Sequence, residues 1–375
     1  MLGAPRRLLR QRQWQLARSA VPALRQQQAP ATPPQLGKRF VTYAENPAKW
    51  QTDPAVMMYG QLLAVRDTQQ EAFLVAADTL RGSENLPRDL RASASRARAT
   101  VLFQKAISDL NGFQAELSFD KPFPTELFDK TVEAAGVAAK AYGEAVEESS
   151  DKSLRAEVEP HCPEWPEVIA AITNAYNEVL KLRAEVQFRQ VSWYSRQAEH
   201  ARVLRDAARP GGNVSSDAAS EAMDALGLAG FDATTEEMPL LEAVVKACDS
   251  IVEGCYDKYS ETPGSDPALK ALRSRAQALL ALSSKDLAVA QAMSHQLSSA
   301  VESTVRALKV RPEDPSLLTK EGAEQVRAAA QGVFELCGRE MRGAETQKRA
   351  EEASLWAARV AEALAMFDGW QKSLK

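Results

Sequence analysis

The stretch that decides the fold runs from Trp165 to Arg209 and reads WPEVIAAITNAYNEVLKLRAEVQFRQVSWYSRQAEHARVLRDAAR. Proline at its second position suits a first helical turn, because the missing N–H has no partner there, and no further Gly or Pro occurs before Pro210. Apolar side chains recur in alternating steps of three and four: Trp165, Val168, Ile172, Ala175, Val179, Leu182 and Val186. This spacing predicts one continuous helix, roughly 65 Å long from its rise per residue, that acts as a strut.

Start and stop signals divide the rest of the chain into further helices. Besides the strut, the predicted helices cover residues 53–80, 86–117, 125–148, 217–226, 236–259, 267–310 and 316–372. The last of these is expected to bend or break near Gly338–Gly343. No segment is typical of a strand, and aromatic residues make up only 6% of the chain, so alanine fills the helix faces. The sequence therefore predicts an all-α, elongated multi-helix bundle of about eight helices with no sheet.

An acidic stretch marks the expected boundary between two bundles. Residues 144–167 contain eight acidic side chains against Lys152 and Arg155, and their helical pattern is the weakest in the chain. We therefore expect an N-terminal helical bundle over residues 41–150 and a long-helix bundle over residues 151–375.

The first forty residues differ from the rest in charge. They hold eight of the 46 basic side chains and none of the 50 acidic ones, which leaves 38 basic against 50 acidic, a net charge of −12 for the remainder. An Arg-rich, acid-free start is typical of a mitochondrial transit peptide, and Arg39-Phe40-Val41 resembles a matrix-processing site. We expect residues 1–40 to be removed and the protein to lie on the matrix side, peripheral to the inner membrane. A disordered basic tail is the alternative.

Charge and hydropathy argue against two other classes. The acidic remainder of the chain disfavours nucleic-acid binding, because phosphate recognition needs concentrated positive charge. No run of eighteen apolar residues occurs, so we expect no transmembrane span.

Side chains that could carry catalysis or hold a metal are few and isolated. His161, His200 and His295 match neither Glu-x-x-His nor His-x-x-x-His, the spacings that place two ligands on one helix face. The four cysteines contain no Cys-x-x-Cys pair, and we expect reduced, partly buried thiols. Cys162 precedes a helix N-terminus, where the dipole lowers a thiol pKa, and Cys162-Pro163 resembles the dipeptide of haem-sensing motifs, so a redox or haem role stays open for it. The sequence predicts no catalytic residue, no cofactor and no metal site.

The basic second half of the strut is the predicted docking surface. Its members are Trp193 and Tyr194 and the arginines that follow them, Arg196, Arg202 and Arg205. Arginine and aromatic residues together anchor many interfaces, because they bury a large area and pair with carboxylates. The expected partner is an acidic protein surface or anionic inner-membrane lipid. The alternative is a solvated face with intrahelical ion pairs.

Two further tryptophans lie near the C-terminus. Isolated tryptophans more often anchor a core or an interface than form a cofactor site. If the strut surface is only solvated, we expect the docking surface on the C-terminal helix around Trp356 and Trp370.

Long helices, a matrix address and the lack of a catalytic motif together favour a non-catalytic structural or accessory subunit of a mitochondrial multiprotein complex. Peripheral-stalk or accessory subunits of ATP synthase or of a respiratory-chain complex represent this class, and the partners are then the other subunits. Two alternatives stay open. One is a lipid-binding or membrane-shaping helical module of BAR-like form, although the acidic charge counts against it. The other is a helical enzyme whose site has no recognisable motif.

Overall fold

The computed structural model describes residues 70–82, 88–160, 163–209, 214–231, 237–256, 258–259 and 264–374. Within these ranges the regular structure is helical and contains no strand, so the predicted all-α class is confirmed there. Three predictions lie outside the described residues: the transit peptide at residues 1–40, the start of the first helix at Asp53-Pro54, and the role of Cys162 beside His161.

Eleven α-helices occupy the described part of the chain, so the predicted number of about eight was too low. They are α1 (Gln70–Gly82), α2 (Arg88–Glu116), α3 (Thr125–Ser150), α4 (Lys152–Val158), α5 (Trp165–Ala207), α6 (Ser216–Leu228), α7 (Glu237–Gly254), α8 (Pro267–Met293), α9 (Leu297–Lys309), α10 (Lys320–Gly343) and α11 (Gln347–Ser373). The difference has three sources. Helix α4 was not predicted, and each of the last two predicted helices consists of two.

Helix α4 lies inside the acidic stretch and has a local cause. The Asp151 carboxylate accepts hydrogen bonds from the backbone N–H groups of Ser153 and Leu154, both at 3.0 Å, and so caps the helix. Leu154 and Val158, four residues apart, are buried. A good cap and two apolar residues on one face are sufficient for these seven residues, although charge dominates the surrounding sequence.

The predicted helix over residues 267–310 was wrong, because the chain turns at Ser294–Gln296. His295 adopts a φ of 59°, in the left-handed region. The Gln296 N–H donates to the Gln291 carbonyl at 2.9 Å and the His295 N–H to that of Ala292 at 3.2 Å, the paired bonds of a Schellman motif. Glycine normally occupies the left-handed position of this motif, so the sequence carried no recognisable stop signal.

The break expected in the last helix occurs at the end of the predicted range. Helix α10 ends at Gly343, and α11 begins after Thr346, whose hydroxyl accepts from the Arg349 N–H at 3.3 Å. Threonine at this position satisfies a backbone donor that the first helical turn leaves without a partner.

The described chain divides into two compact units whose segments alternate along the sequence. The first unit contains residues 70–82, 88–108, 133–160, 163–179 and 259, and the second contains the remaining described residues. The predicted bundles, 41–150 and 151–375, had a single boundary near residue 150. The observed units instead divide α2, α3 and α5 internally.

The first unit has a core supplied by α1, α2, α4 and the start of α5. Its buried members are Phe73, Ala77, Leu80, Ala92, Ala94, Ala97, Val101, Leu154, Val158 and Trp165. The Trp165 indole N–H donates to the Ser149 carbonyl at 3.0 Å. The first residue of the predicted apolar stripe therefore fixes the start of α5, since it is both buried and hydrogen-bonded.

In the second unit, α9, α10 and α11 share a core against which α8 also packs. Its buried side chains include Val301, Leu308, Val326, Val333 and Phe367. Most of the core is small or β-branched, which lets the helices approach closely. None of the helices in the described part of the chain is both long and apolar enough to cross a membrane.

Candidate docking surfaces

Trp193, the first residue of the predicted strut surface, lies in the core of the second unit. Its side chain is 1% exposed, and its indole N–H donates to the Ser118 carbonyl at 3.0 Å. It belongs to an aromatic cluster with neighbouring ring centroids 5.0 to 5.9 Å apart. The cluster consists of Phe113, Phe123, Phe128, Trp193, Tyr194 and Phe231. Trp193 thus stabilises its own unit and is not an exposed anchor.

Tyr194 and Arg196 lie at the edge of this cluster. Tyr194 is half-buried, and burial together with the charge of Asp129 raises the pKa of its phenol. Arg196 is exposed and stacks over the Phe119 ring, with its guanidinium carbon 4.8 Å from the ring centroid. Arg196 is therefore the most accessible of the five predicted residues.

The other two arginines already have acidic partners within the second unit. Arg202 pairs with Glu199 at 2.5 Å, an intrahelical contact of the kind that the solvated-face alternative predicts. Arg205 pairs with Glu237 and, at 3.0 Å, with Asp206. Burial raises the pKa of Glu237, and the positive charge of Arg205 opposes this effect. A docking role for this surface stays a prediction, but its available positive charge is smaller than the sequence indicated.

A cleft of about 910 Å³ opens where the α8–α9 turn approaches the α10–α11 turn, within the second unit. Half-buried apolar side chains line part of it: Leu297, Leu336 and Trp356. Exposed basic side chains line another part: Arg339, Lys348 and Arg349. The cleft therefore offers an apolar area and positive charge side by side, an arrangement that suits a ligand with both characters.

The charges of the cleft are only partly neutralised. Arg349 pairs with Glu340, and Lys348 lies 4.0 Å from Glu352, which is a weak and exposed contact. Arg339 makes no ion pair with any described residue. The cleft thus keeps an excess of positive charge.

The backbone adds to this excess. Helix α9 begins in the wall of the cleft, and Gln296 at its N-cap makes no side-chain hydrogen bond to the first turn. The first N–H groups of a helix have no intrahelical partner and carry partial positive charge. His295, the residue with the left-handed backbone, also lines the cleft. Residues held in such conformations occur preferentially at functional sites.

A second groove, of about 560 Å³, lies between α7, α9 and α11 in the same unit. Its arginines are occupied, because Arg306 binds Asp249 at 2.8 Å and Arg359 binds Glu302 through two hydrogen bonds of 2.6 and 3.0 Å. These pairs close the groove, so it is a weaker binding candidate than the cleft.

Exposed large apolar side chains concentrate on the C-terminal helices. Of the thirteen among the described residues, six lie within residues 315–374. Four lie on α10 and α11, namely Phe334, Met341, Leu355 and Met366, while Leu317 and Leu374 lie just outside these helices. Leu355 is 65% exposed and Met366 is 56% exposed. Apolar exposure concentrated in one part of a structure indicates a surface that another molecule covers.

The two C-terminal tryptophans have different surroundings. Trp356 lines the cleft. Trp370 lies under the Arg311 guanidinium, which also donates to the Leu308 and Val310 carbonyls at the end of α9. Trp356 therefore remains a candidate contact for a ligand, while Trp370 helps to close the bundle.

The cysteine side chains in the described part of the chain are unreactive. Cys248, Cys255 and Cys337 are free, and they are buried more completely than the sequence predicted. Burial raises the pKa of Cys248 and of Cys255 to about 12, so neither is a thiolate near neutral pH. Within the described ranges, no group of three or more His, Cys, Asp or Glu side chains could hold a metal ion.

Sequence reasoning missed the cleft, because its walls come from two turns far apart in the chain. Trp356 was singled out as a tryptophan, but nothing in the pattern placed it beside His295 and Arg339. No local signal marked the first turn, because Ala290, Met293, Leu297 and Val301 continue the apolar spacing across Ser294–Gln296. No family model, curated protein or solved structure matches this chain.

Proposed function

We propose that this protein is a non-catalytic structural or accessory subunit of a mitochondrial multiprotein complex and that it docks through α10 and α11. The concentration of exposed large apolar side chains on these helices carries the docking part. Burying one such side chain against a partner stabilises a complex by about 1.5–3 kcal/mol, so Leu355 and Met366 together could supply a substantial part of an interface. Peripheral-stalk and accessory subunits of ATP synthase or of respiratory-chain complexes are the class that this role fits.

The choice of α10 and α11 over the strut surface follows from the contacts of each. On α5, Trp193 is buried, and Arg202 and Arg205 pair with carboxylates of the same unit. A partner would have to displace those pairs before it gained any new ones. On α10 and α11 the apolar side chains are already exposed, so a partner can cover them without breaking contacts within the unit. The lipid-binding alternative depends on the same α5 arginines and is weakened in the same way.

The mitochondrial part of the proposal is supported by the charge of residues 1–40, eight basic and no acidic side chains. N-terminal sequencing of the protein purified from its own cells is the test. We expect the mature chain to begin between Phe40 and Tyr43. A mature chain that still begins at Met1 would contradict import into the mitochondrial matrix.

The docking surface can be tested with two matched double variants of the full chain. Leu355→Asp with Met366→Asp places two charges on the exposed apolar side chains of α11. Met223→Asp with Leu228→Asp makes the same two changes on α6, where both side chains are also exposed. On a native gel of detergent extracts we expect the α11 variant to leave the high-mass assembly and the α6 variant to stay in it. Retention of both variants, with unchanged helix content, would contradict docking through α11.

A further inference from the structure

We propose that the cleft between the α8–α9 turn and the α10–α11 turn binds an acidic polypeptide segment of the partner. This inference rests on the proposed docking function and names the chemistry of one contact in it. The cleft adjoins the N-terminal end of α11, the helix that carries Leu355 and Met366. An occupant of the cleft would thus contact the same helix as a partner that covers those two side chains.

The charge of the cleft selects an anionic occupant. Arg339 has no carboxylate within ion-pair distance among the described residues, and Lys348 has only a 4.0 Å contact with Glu352. Both side chains are exposed, so they are accessible to a carboxylate that enters from solution. Two carboxylates of one peptide would then pair with these two basic side chains. Such charge complementarity raises the association rate and fixes the register of an interface.

The apolar side chains that line the cleft favour a polypeptide over a small anion. Trp356, Leu297 and Leu336 are half-buried along the same cleft. A small anion such as phosphate would leave this area in contact with water, whereas an acidic segment with one apolar side chain would cover it. Tryptophan and arginine are the residues most often found at the energetic centre of protein interfaces.

The same lining disfavours a membrane surface. Glu340 and Glu352 line the cleft among the basic residues, and anionic lipid headgroups would meet both carboxylates. A concave cleft also presents few of its charges to a flat surface. A peptide can instead place single carboxylates against Arg339 and Lys348.

The test is a binding measurement with the full chain and a defined probe. The probe is a fluorescently labelled, N-acetylated peptide of fourteen residues composed of Glu, Leu and Ala, and its counterpart has Gln in place of every Glu. Arg339→Glu with Lys348→Glu reverses two charges of the cleft. Arg342→Glu with Lys372→Glu reverses two exposed charges of the same helices that do not line the cleft. Fluorescence anisotropy gives the affinity of each variant for each peptide.

We expect the Glu peptide to bind the natural chain and the control variant alike, and the cleft variant to bind it about tenfold more weakly or worse. The Gln peptide should bind no variant measurably. Equal loss in both variants would show general charge attraction and overturn the inference, as would equal binding of the two peptides. Displacement of the Glu peptide by vesicles of anionic phospholipid, sensitive to the cleft substitutions, would assign the cleft to lipid instead.

Failure here and failure of the proposed function give different results on the native gel. If the α11 variant leaves the assembly while the cleft variant stays in it, docking stands and the acidic segment is wrong. If the natural chain itself migrates alone, the proposed function fails, and the peptide measurement still decides whether the cleft binds acidic segments.

Discussion

Two stretches of this chain lack internal Gly and Pro for about forty residues, yet they fold differently. Residues 167–207 lie in the single continuous helix α5. Residues 268–310 form α8 and α9, with a turn at Ser294–Gln296 between them. Helix propensity and apolar spacing are similar in the two, so neither property decides whether a helix continues.

The difference lies in what each stretch packs against. In α5 the apolar stripe contacts a core at both of its ends and in its middle: Trp165 is 1% exposed, and Val179 and Val186 are fully buried. In the other stretch, the Ser303 hydroxyl of α9 donates to the Gln291 side chain of α8 at 2.8 Å inside the core. The turn at Ser294–Gln296 therefore lets α8 and α9 pack against each other and bury polar as well as apolar side chains.

A second comparison shows why the sequence revealed one helix end and not the other. Helix α6 ends in the same paired hydrogen bonds as α8, with Phe231 bonded to Leu226 at 2.9 Å and Gly230 to Gly227 at 3.1 Å. Gly230, with a φ of 87°, occupies the left-handed position that His295 occupies after α8. A glycine in the sequence predicts a left-handed residue at a helix end, whereas a histidine does not.

The largest effect is expected from removing the anchor of the continuous helix. Trp193→Ala leaves a large cavity in the aromatic cluster and removes the donor to the Ser118 carbonyl, so it should lower the free energy of unfolding by about 3–5 kcal/mol. Urea denaturation followed by circular dichroism measures it. Arg196→Ala, three residues away and exposed, should lower the free energy of unfolding by well under 1 kcal/mol, because exposed contacts contribute about 1 kcal/mol at most. Similar costs for the two changes would mean that the rotation of α5 is misplaced.

A middle-sized effect is expected from the buried bond between α8 and α9. Ser303→Ala leaves the Gln291 side-chain oxygen without its donor in the core, which should cost about 1–3 kcal/mol. Gln291→Leu with Ser303→Ala removes both polar partners and should recover much of that loss. If the double variant is no more stable than the single one, the bond does not hold the two helices together.

The smallest effect is expected at the turn itself. His295→Gly removes the crowding of a side chain in the left-handed region and should stabilise the chain by about 0.5–1 kcal/mol. Gly230→Ala introduces the same crowding after α6, where an added Cβ would also lie 3.1 Å from Pro122, and should destabilise it. Thermal unfolding of the two variants should thus shift in opposite directions. A loss of stability in His295→Gly would show that the imidazole contributes more than its backbone costs.

Sequence alone was sufficient for elements whose ends carry chemical signals. Pro166 marked the start of α5, and the predicted break near Gly338–Gly343 contains the end of α10 at Gly343. The pattern also identified the side of α5 that faces the core as far as Val186, but it placed Trp193 on the docking surface, and Trp193 is buried. It could not locate the turn after α8, because a histidine and not a glycine occupies its left-handed position. Nor could it locate the cleft, because Arg339 and His295 line it from segments that lie far apart in the sequence. The strut surface was misjudged in part, since the acidic partner of Arg205 lies on another helix.

The central claim is that a partner covers α10 and α11, and oxidative footprinting of exposed methionines in the assembled protein tests it most directly. Met341 and Met366 lie on these helices, and Met223 on α6 is exposed to a similar extent. Exposed methionine oxidises readily to the sulfoxide, so the rate at each position reports its access to solvent. We expect Met341 and Met366 to oxidise more slowly in the assembly than in the isolated chain, while Met223 oxidises at the same rate in both. Unchanged rates at Met341 and Met366 would contradict the claim.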